Sequence, residues 1–272
     1  MKKLIYILTC FLIPGCTQEI PLGTDFEPEI FISGILLNRT DYITIHIQET
    51  TAPDNPVPNR INDARVRLYT RDTDGTKRLL TGDFTIENGA YTTTQRVIGR
   101  VGNLYWIEVE LRDGRLLMSD EEPLKTPVEV KDITSENGRT RVVFSDPGEE
   151  TNFYMVHFRF FEGDEVVSEV FERSNDVLFN GNDQAFIEIP EVGGGKVSAS
   201  LLNLNYYTYQ FYVNSHAQWL SQIDSDPDSG GPDRLFGTPP ADLEGNILDT
   251  STGTPVLGFF GVFSFNYMEK EF

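Results

Sequence analysis

Residues 105–118, YWIEVELRDGRLLM, decide the fold class of this chain. From Tyr105 to Leu111 every second side chain is apolar or aromatic, and an Asp113-Gly114 pair then leads into a second apolar run at residues 116–118. A period of two is typical of a strand with one buried face, and Asp-Gly between two such runs is typical of a hairpin turn. The stretch therefore predicts a β-hairpin in a mainly β protein.

Similar patterns precede this hairpin in the sequence. Residues 43–48 and 64–69 alternate in the same way, and turn-forming residues at 72–75 and 88–89 reverse the chain between strands. Short strands separated by turns at this spacing are typical of a β-sandwich. We therefore predict an N-terminal β-sandwich over residues 28–126.

A second domain is predicted beyond an acidic, proline-containing stretch at residues 120–127, which marks the boundary. We predict this domain to be β-rich and to cover residues 127–272. Its strands are predicted at residues 128–133, 139–144, 153–161, 166–171 and 185–189.

One helix is predicted in the second domain. From Tyr209 to Leu220, apolar and aromatic residues recur at three- and four-residue steps, which fits one helix face, and Asn205 is a suitable N-cap. A strand is the alternative for the first half of this segment, because residues 206–212 are rich in aromatic side chains.

The N-terminus has the organisation of a lipoprotein signal sequence. Two lysines precede an apolar run, residues 4–13, which is too short to cross a bilayer, since a helix needs about 20 apolar residues for that. Ile13-Pro14-Gly15 ahead of Cys16 resembles a lipobox. We predict a signal peptide at residues 1–15, a lipid on Cys16, and a tether at residues 16–27. An ordinary secretory signal is the alternative, because proline is unusual at its position in a lipobox.

Cysteine content and charge exclude several classes of function. The two cysteines, Cys10 and Cys16, both lie in the N-terminal segment, so the mature domains have no thiol for catalysis or for a disulfide. The formal net charge is −20, and no run of lysines and arginines offers a surface for nucleic acid or for anionic lipids. We therefore predict no nucleic-acid partner and membrane contact through the lipid alone.

Short motifs spread over nearly all of the mature sequence carry a family resemblance. They are Ile32-Ser33-Gly34 and the segments at residues 62–69, 89–91, 102–109, 146–154, 176–181, 239–240, 245–247 and 256–262. Each motif is weak by itself, and their order along the chain carries the likeness. The chain resembles the domain of unknown function 4249 lipoproteins of Bacteroidota, which are commonly found beside TonB-dependent outer-membrane transporters.

The resemblance implies a fold, a location and a partner. It implies an immunoglobulin-like or carboxypeptidase-regulatory-like N-terminal β-sandwich, followed by a β-rich domain with one helix, and no assigned reaction. It also implies an outer-membrane protein whose partner is the transporter barrel. Acidic residues after the lipid cysteine often direct such proteins to the cell surface, and Glu19 is the acidic residue that follows Cys16 here. Exposure at the cell surface is therefore a further expectation.

An acidic stretch, residues 224–231, is a candidate calcium site. Asp224, Asp226 and Asp228 alternate along it, and carboxylate oxygens are ligands that calcium prefers. The spacing does not match an EF-hand, because a proline intrudes and Leu235 stands where a bidentate glutamate is needed. A solvated loop without metal is the alternative, and we expect no cofactor elsewhere.

Aromatic residues are concentrated in the second domain, and we expect most of them to form its core. An exposed aromatic platform is also a common way to bind a sugar, a peptide or a partner protein. The candidates for such a ligand or partner surface are Tyr207, Tyr212, Trp219, Phe259 and Phe260.

The sequence therefore favours a non-enzymatic function. No group of residues has the spacing that a catalytic site requires. The favoured hypothesis is an accessory lipoprotein that docks on a TonB-dependent transporter and helps to capture or admit a nutrient. The alternative is a glycan- or peptide-binding surface lipoprotein that acts alone. A flat apolar patch would favour docking, and a concave aromatic cleft would favour ligand binding.

Overall fold

A computed structural model describes residues 27–51, 57–190, 195–223 and 243–272, with the backbone alone for residues 218–223. Nineteen strands and one helix make up this described part of the chain. The predicted mainly β fold class is confirmed.

Eleven short strands form from the first half of the described chain, where apolar and polar side chains alternate. They are β1 (Ile30–Leu37), β2 (Thr40–Asp41), β3 (Thr44–Glu49), β4 (Arg65–Arg71), β5 (Lys77–Thr81), β6 (Phe84–Glu87), β7 (Ala90–Thr93), β8 (Val97–Ile98), β9 (Leu104–Glu110), β10 (Leu116–Ser119) and β11 (Glu122–Pro123).

Longer strands and the helix form from the second half. They are β12 (Val130–Glu136), β13 (Arg139–Phe144), β14 (Phe153–Glu162), β15 (Glu165–Asn175), β16 (Ala185–Pro190), β17 (Lys196–Leu204), α1 (Tyr206–Ile223), β18 (Glu244–Asp249) and β19 (Pro255–Glu271).

The first core lies inside a curled sheet whose strand order is β5-β4-β9-β10-β18-β19-β1-β3-β7-β6. Aliphatic side chains from both ends of this sheet meet in one buried cluster. Tyr91 of β7 links the ends, because its hydroxyl accepts a hydrogen bond from the Ala64 backbone N–H and donates one to the Ile61 carbonyl, each 3.0 Å long. A separate two-stranded ribbon pairs β2 with β8.

The second core lies between two sheets. One sheet has the order β12-β13-β16, and the other continues from β19 through β17 and β14 to β15. Buried side chains of both sheets, among them Phe144, Tyr154 and Phe158, form the second cluster. The second half of the chain is therefore a sandwich of two antiparallel sheets.

Strand β19 belongs to both halves of the molecule. Its first part pairs in parallel with β1, from Phe31 opposite Leu257 to Leu37 opposite Phe263. Its last part pairs in antiparallel fashion with β17. The domain boundaries at residues 126 and 127 stay a prediction, but β18 and β19, which fall in the predicted second domain, pair with β10 and β1 of the predicted first domain.

Two glycines allow β18, β19 and β1 to approach closely. Gly258 has a φ of +99°, and a Cβ at this position would lie 1.9 Å from the carbonyl oxygen of Ile32. A Cβ on Gly245 would lie 2.0 Å from the carbonyl oxygen of Gly258. Any side chain would collide with backbone at both sites, so the β18–β19 bulge requires glycine at both.

Two asparagine side chains hydrogen-bond to backbone groups of β19 that have no partner on a neighbouring strand. Asn246 lies in the bulge, accepts a hydrogen bond from Phe260 N–H (2.9 Å) and donates one to the Phe260 carbonyl (3.0 Å). Asn38 follows the end of β1 and makes the same pair of bonds with Phe265, at 2.9 and 3.1 Å. Each amide therefore satisfies a backbone donor and acceptor that the sheet leaves open.

The helix is confirmed, and the strand alternative for residues 206–212 is wrong. It packs on the outer face of the sheet, where Tyr209 and Tyr212 contact a third cluster that includes Met155, Leu204 and Phe263. Asn205 lies directly before α1, and its carbonyl accepts a hydrogen bond from Tyr209 N–H. Its side-chain amide donates to the Val262 carbonyl at 2.7 Å, so Asn205 also fixes α1 to β19. In the described residues, no helix has the length and apolar character needed to cross a membrane.

Candidate binding groove beside the helix

A concave groove lies between α1 and the outer face of β1 and β3, and we call it the α1 groove. Its volume is about 450 Å³, which lies within the range of small-ligand sites. Apolar and aromatic side chains form most of its wall, with polar groups at the rim. The lining residues that matter below are Phe31, Ser33, Arg39, Asp41, Tyr42, His46, Phe211, Tyr212 and Phe259.

The alternation of β1 determines the floor of the groove. Ile32 and Leu36 point into the first core, so Phe31 and Ser33 face outward, towards α1. Ser33 lies opposite His46 of β3 on one side and Phe259 of β19 on the other. One row of side chains therefore crosses three strands beneath the groove.

Aromatic rings form the wall on the helix side. The rings of Phe211 and Phe259 are 4.6 Å apart, and those of Tyr212 and Phe259 are 5.5 Å apart. Phe31 joins them with its ring 6.0 Å from that of Phe211. Such tilted arrangements are favourable for aromatic pairs, so the wall is held in place by ring contacts. Burial raises the pKa of the Tyr212 phenol, which stays neutral at ordinary pH.

The opposite rim is polar and charged. Arg39 and Asp41 form an ion pair of 2.6 Å. A hydrogen bond from the Tyr42 backbone N–H, together with Arg39, lowers the pKa of the Asp41 carboxyl, so this carboxyl is ionised at neutral pH. Half-exposed Tyr42 and exposed His46 complete the rim. The groove can therefore contact an apolar or ring-shaped ligand face and hydrogen-bond to its polar edge.

The five aromatic residues predicted to form a ligand or partner surface lie in different environments in the structure. Tyr212 and Phe259 meet at the α1 groove, where Tyr212 is partly exposed, whereas Phe259 is only 4% exposed and so contributes little to an exposed surface. Phe260, the next residue along β19, faces the opposite side and is fully buried in the first core, so it belongs to no exposed surface. Tyr207 is 43% exposed and lies beside Tyr206 at the start of α1, outside the groove lining. The side chain of Trp219 lies outside the described part of the chain.

The groove also contains four residues outside the predicted surface set, namely Phe31, Ser33, His46 and Phe211. A partial sign was present, because Phe31 and Ser33 occupy the polar-side positions of a strand and yet one of them is a large aromatic residue. Strand β19 and helix α1, which contact Phe31 and Ser33, come from distant parts of the chain. Only the folded structure brings these segments together.

The other predicted sites lie outside the described residues. Cys16 and the candidate calcium ligands Asp224, Asp226 and Asp228 are among them. In the ranges that the structure does describe, no group of three or more histidine, cysteine, aspartate or glutamate side chains is placed to hold a metal ion.

Two family motifs noted in the sequence meet at a buried polar cluster in the second sandwich. The hydroxyl of Tyr154 donates to Asp146 (2.5 Å), which also accepts a hydrogen bond from Gly181 N–H (2.8 Å). Asp176 accepts a hydrogen bond from Asn152 N–H at 2.7 Å. These buried groups are paired, so the motifs at residues 146–154 and 176–181 have a structural role.

Comparisons with known proteins give one extended match. A family model described as "Domain of unknown function (DUF4249)" matches residues 17–267. No curated protein matches the chain.

Among solved structures the likenesses are weak. The native conformation of Escherichia coli alpha-2-macroglobulin is 10% identical, with a TM-score of 0.22 and 66% of this chain and 13% of that chain covered. The trypsin-activated form from Escherichia coli is 13% identical, with a TM-score of 0.24 and coverage of 66% and 14%. CBD12 from CALX1.2 is 12% identical, with a TM-score of 0.22 and coverage of 86% and 99%. The chain thus spans only a small part of the macroglobulins.

Proposed function

The chain belongs to the DUF4249 family, and we propose that it is a non-enzymatic outer-membrane lipoprotein that captures a nutrient for a TonB-dependent transporter. The α1 groove is the observation that carries the capture role. It is concave, has an aromatic wall held by ring contacts, and has a polar rim. Those are the properties of a preformed binding site.

The anchor in this proposal is the lipid on Cys16. The apolar run of residues 4–13 is followed directly by the lipobox-like segment, and the strongly acidic sequence contains no basic run that would attract anionic lipids in place of a lipid anchor. Labelling cells with a palmitate analogue tests this point. The wild-type protein is expected to carry the label, and Cys16→Ser is expected to lose both the label and membrane association. A labelled Cys16→Ser protein would disprove the assignment of the anchor.

Binding in the α1 groove can be tested with N-phenyl-1-naphthylamine, an uncharged fluorescent probe of apolar sites. Ser33→Trp places an indole on the groove floor between His46 and Phe259. We expect the wild-type protein to enhance the fluorescence of the probe and Ser33→Trp to remove most of this enhancement. Thr85→Trp is the matched control, because Thr85 lies exposed on β6 outside the groove. Equal enhancement by both variants would refute the groove as a binding site.

A stand-alone glycan- or peptide-binding lipoprotein is the second candidate, and the same groove favours it. The two functions differ in the partner alone. A transporter barrel that co-purifies with the native protein supports the accessory role, whereas a protein that binds its ligand and purifies without a barrel supports the stand-alone role.

A further inference from the structure

A second and larger cleft lies beside the first core, and we call it the arginine cleft. Its volume is about 840 Å³. It opens beside the β4–β5 hairpin and is bordered on its other side by the segment around β8. The β2–β8 ribbon separates it from the α1 groove, since residues of β8 line the cleft and residues of β2 line the groove.

The charge of this cleft is opposite to that of the whole protein. Two aspartates, Asp72 and Asp83, and no glutamate or lysine are found in its lining. The arginines in its lining are Arg65, Arg67, Arg78, Arg96 and Arg100. A local excess of guanidinium groups in a chain of net charge −20 concentrates positive potential within a concave surface. Folding assembles this group from three segments, which is why no basic run marks it in the sequence.

Three of the arginines already have partners. Arg78 forms an ion pair with Asp72, which is also held by the Asn103 amide at 2.9 Å. Arg67 forms ion pairs on the outer face of the sheet, and Arg96 lies over the Tyr42 ring with its guanidinium carbon 5.5 Å from the ring centre. These ion pairs are partly buried, since the side chains of Arg67 and Asp72 are 26% and 17% exposed, so they hold Arg67 and Arg78 in place instead of leaving them for a ligand.

Of the five cleft arginines, Arg65, Arg96 and Arg100 make no ion pair with another described residue, and Arg65 and Arg100 also lie over no aromatic ring of the described chain. Both are exposed to solvent. The backbone of Arg100 is fixed, because its N–H donates to the Tyr105 hydroxyl at 2.7 Å, and Tyr105 is itself almost fully buried. Arg100 is therefore a free guanidinium on a rigid base at the edge of the cleft.

Apolar side chains accompany these charges. Leu79, Leu80 and Ile98 line the cleft and are 54%, 39% and 56% exposed, respectively. Buried Val66 lies beneath them. Exposed aliphatic residues beside unpaired guanidinium groups suit a ligand that has both carbon surface and anionic groups.

We propose that the arginine cleft binds an organic polycarboxylate. A guanidinium presents two parallel N–H groups that match the two oxygens of a carboxylate, and several arginines around one cleft favour several carboxylates on one ligand. The net charge of the chain repels a long polyanion, so the ligand is short enough to be enclosed by the cleft. A small tricarboxylate and a short acidic oligosaccharide both have this chemistry.

Isothermal titration calorimetry on the full mature protein tests the proposal, with citrate, trigalacturonate and neutral maltotriose as probes. Saturable binding of citrate identifies a small acid as the source, and binding of trigalacturonate identifies an acidic sugar. Either result supports the site if the affinity for that acid falls by about tenfold or more in the double variant Arg65→Gln/Arg100→Gln, because the variant loses charged hydrogen bonds.

Arg112→Gln is the matched control, because Arg112 is highly exposed and lies outside the cleft. It should bind the probes as the wild type does, and the thermal unfolding of all variants should coincide. Three results would overturn the proposal: no binding of either acid, binding of maltotriose with the same affinity, or unchanged affinity in the double variant.

Discussion

Replacing Asn246 by alanine should destabilise the protein strongly, although it removes only one small amide. Asn246 is 2% exposed, and its side chain satisfies both the N–H and the carbonyl of Phe260, which is fully buried. The same amide donates to Glu122 at 3.1 Å. In Asn246→Ala the two backbone groups remain buried without partners. Each such group costs about 1–3 kcal/mol, so we expect the two together to lower the free energy of unfolding by roughly 2–6 kcal/mol.

Asn38→Ala is the matched comparison, because Asn38 makes the same two bonds with Phe265 in a partly exposed position. Water can replace the lost amide there, and the expected loss is about 1–2 kcal/mol. Urea unfolding followed by far-ultraviolet circular dichroism measures both values. Asn246 does not have this role if Asn38→Ala lowers stability as much as Asn246→Ala does, or if Asn246→Ala unfolds at the same urea concentration as the wild type.

Three further predictions concern the same framework. Gly258→Ala should prevent folding to the native state, because a Cβ there would overlap the Ile32 carbonyl, and a soluble variant with wild-type circular dichroism and unfolding midpoint would contradict this. Burial raises the pKa of Glu122, so the folded protein favours the protonated carboxyl. The stability that this protonated group contributes is fully present below the ordinary pKa of a glutamate and is lost as pH rises through the higher pKa of the folded state. Relative to the wild type, Glu122→Gln should therefore raise the urea midpoint more at pH 8 than at pH 4. The same difference between variant and wild type at both pH values would argue against a buried, titrating carboxyl. Tyr154→Phe removes the hydroxyl that donates to buried Asp146 and should cost about 1–3 kcal/mol, whereas Leu178→Ser, at a side chain 95% exposed, should leave the midpoint unchanged. Equal midpoints for these two variants would contradict the assigned role of the buried cluster.

Local pattern predicted the strands whose side chains alternate between core and solvent. Strand β9 is an example, since Tyr105, Ile107 and Val109 are buried as the period of two requires, and the one departure is Trp106 on the other face, which is buried where it stacks on Tyr69. The helix was predicted for the same kind of reason, because its aromatic residues recur at helical spacing. These features depend on neighbouring residues, which the sequence shows directly.

The pairing of β19 with β1 depends on residues more than two hundred positions apart, and no local pattern indicates it. The same limit applies to the groove. Phe259 and Phe260 are adjacent and equally apolar, and only the pairing with β1 determines which one faces α1 and which one faces the core. The arginine cleft could not be predicted from the sequence either, because its arginines come from separate strands and loops.

The most direct test of the accessory role is a gentle affinity purification of the native lipoprotein from its own outer membrane. We expect a TonB-dependent barrel to co-purify in stoichiometric amount, both with the wild type and with Ser33→Trp, whose filled groove leaves docking intact. Recovery of the lipoprotein in quantity without any barrel would rule out the accessory role and leave a stand-alone binding protein.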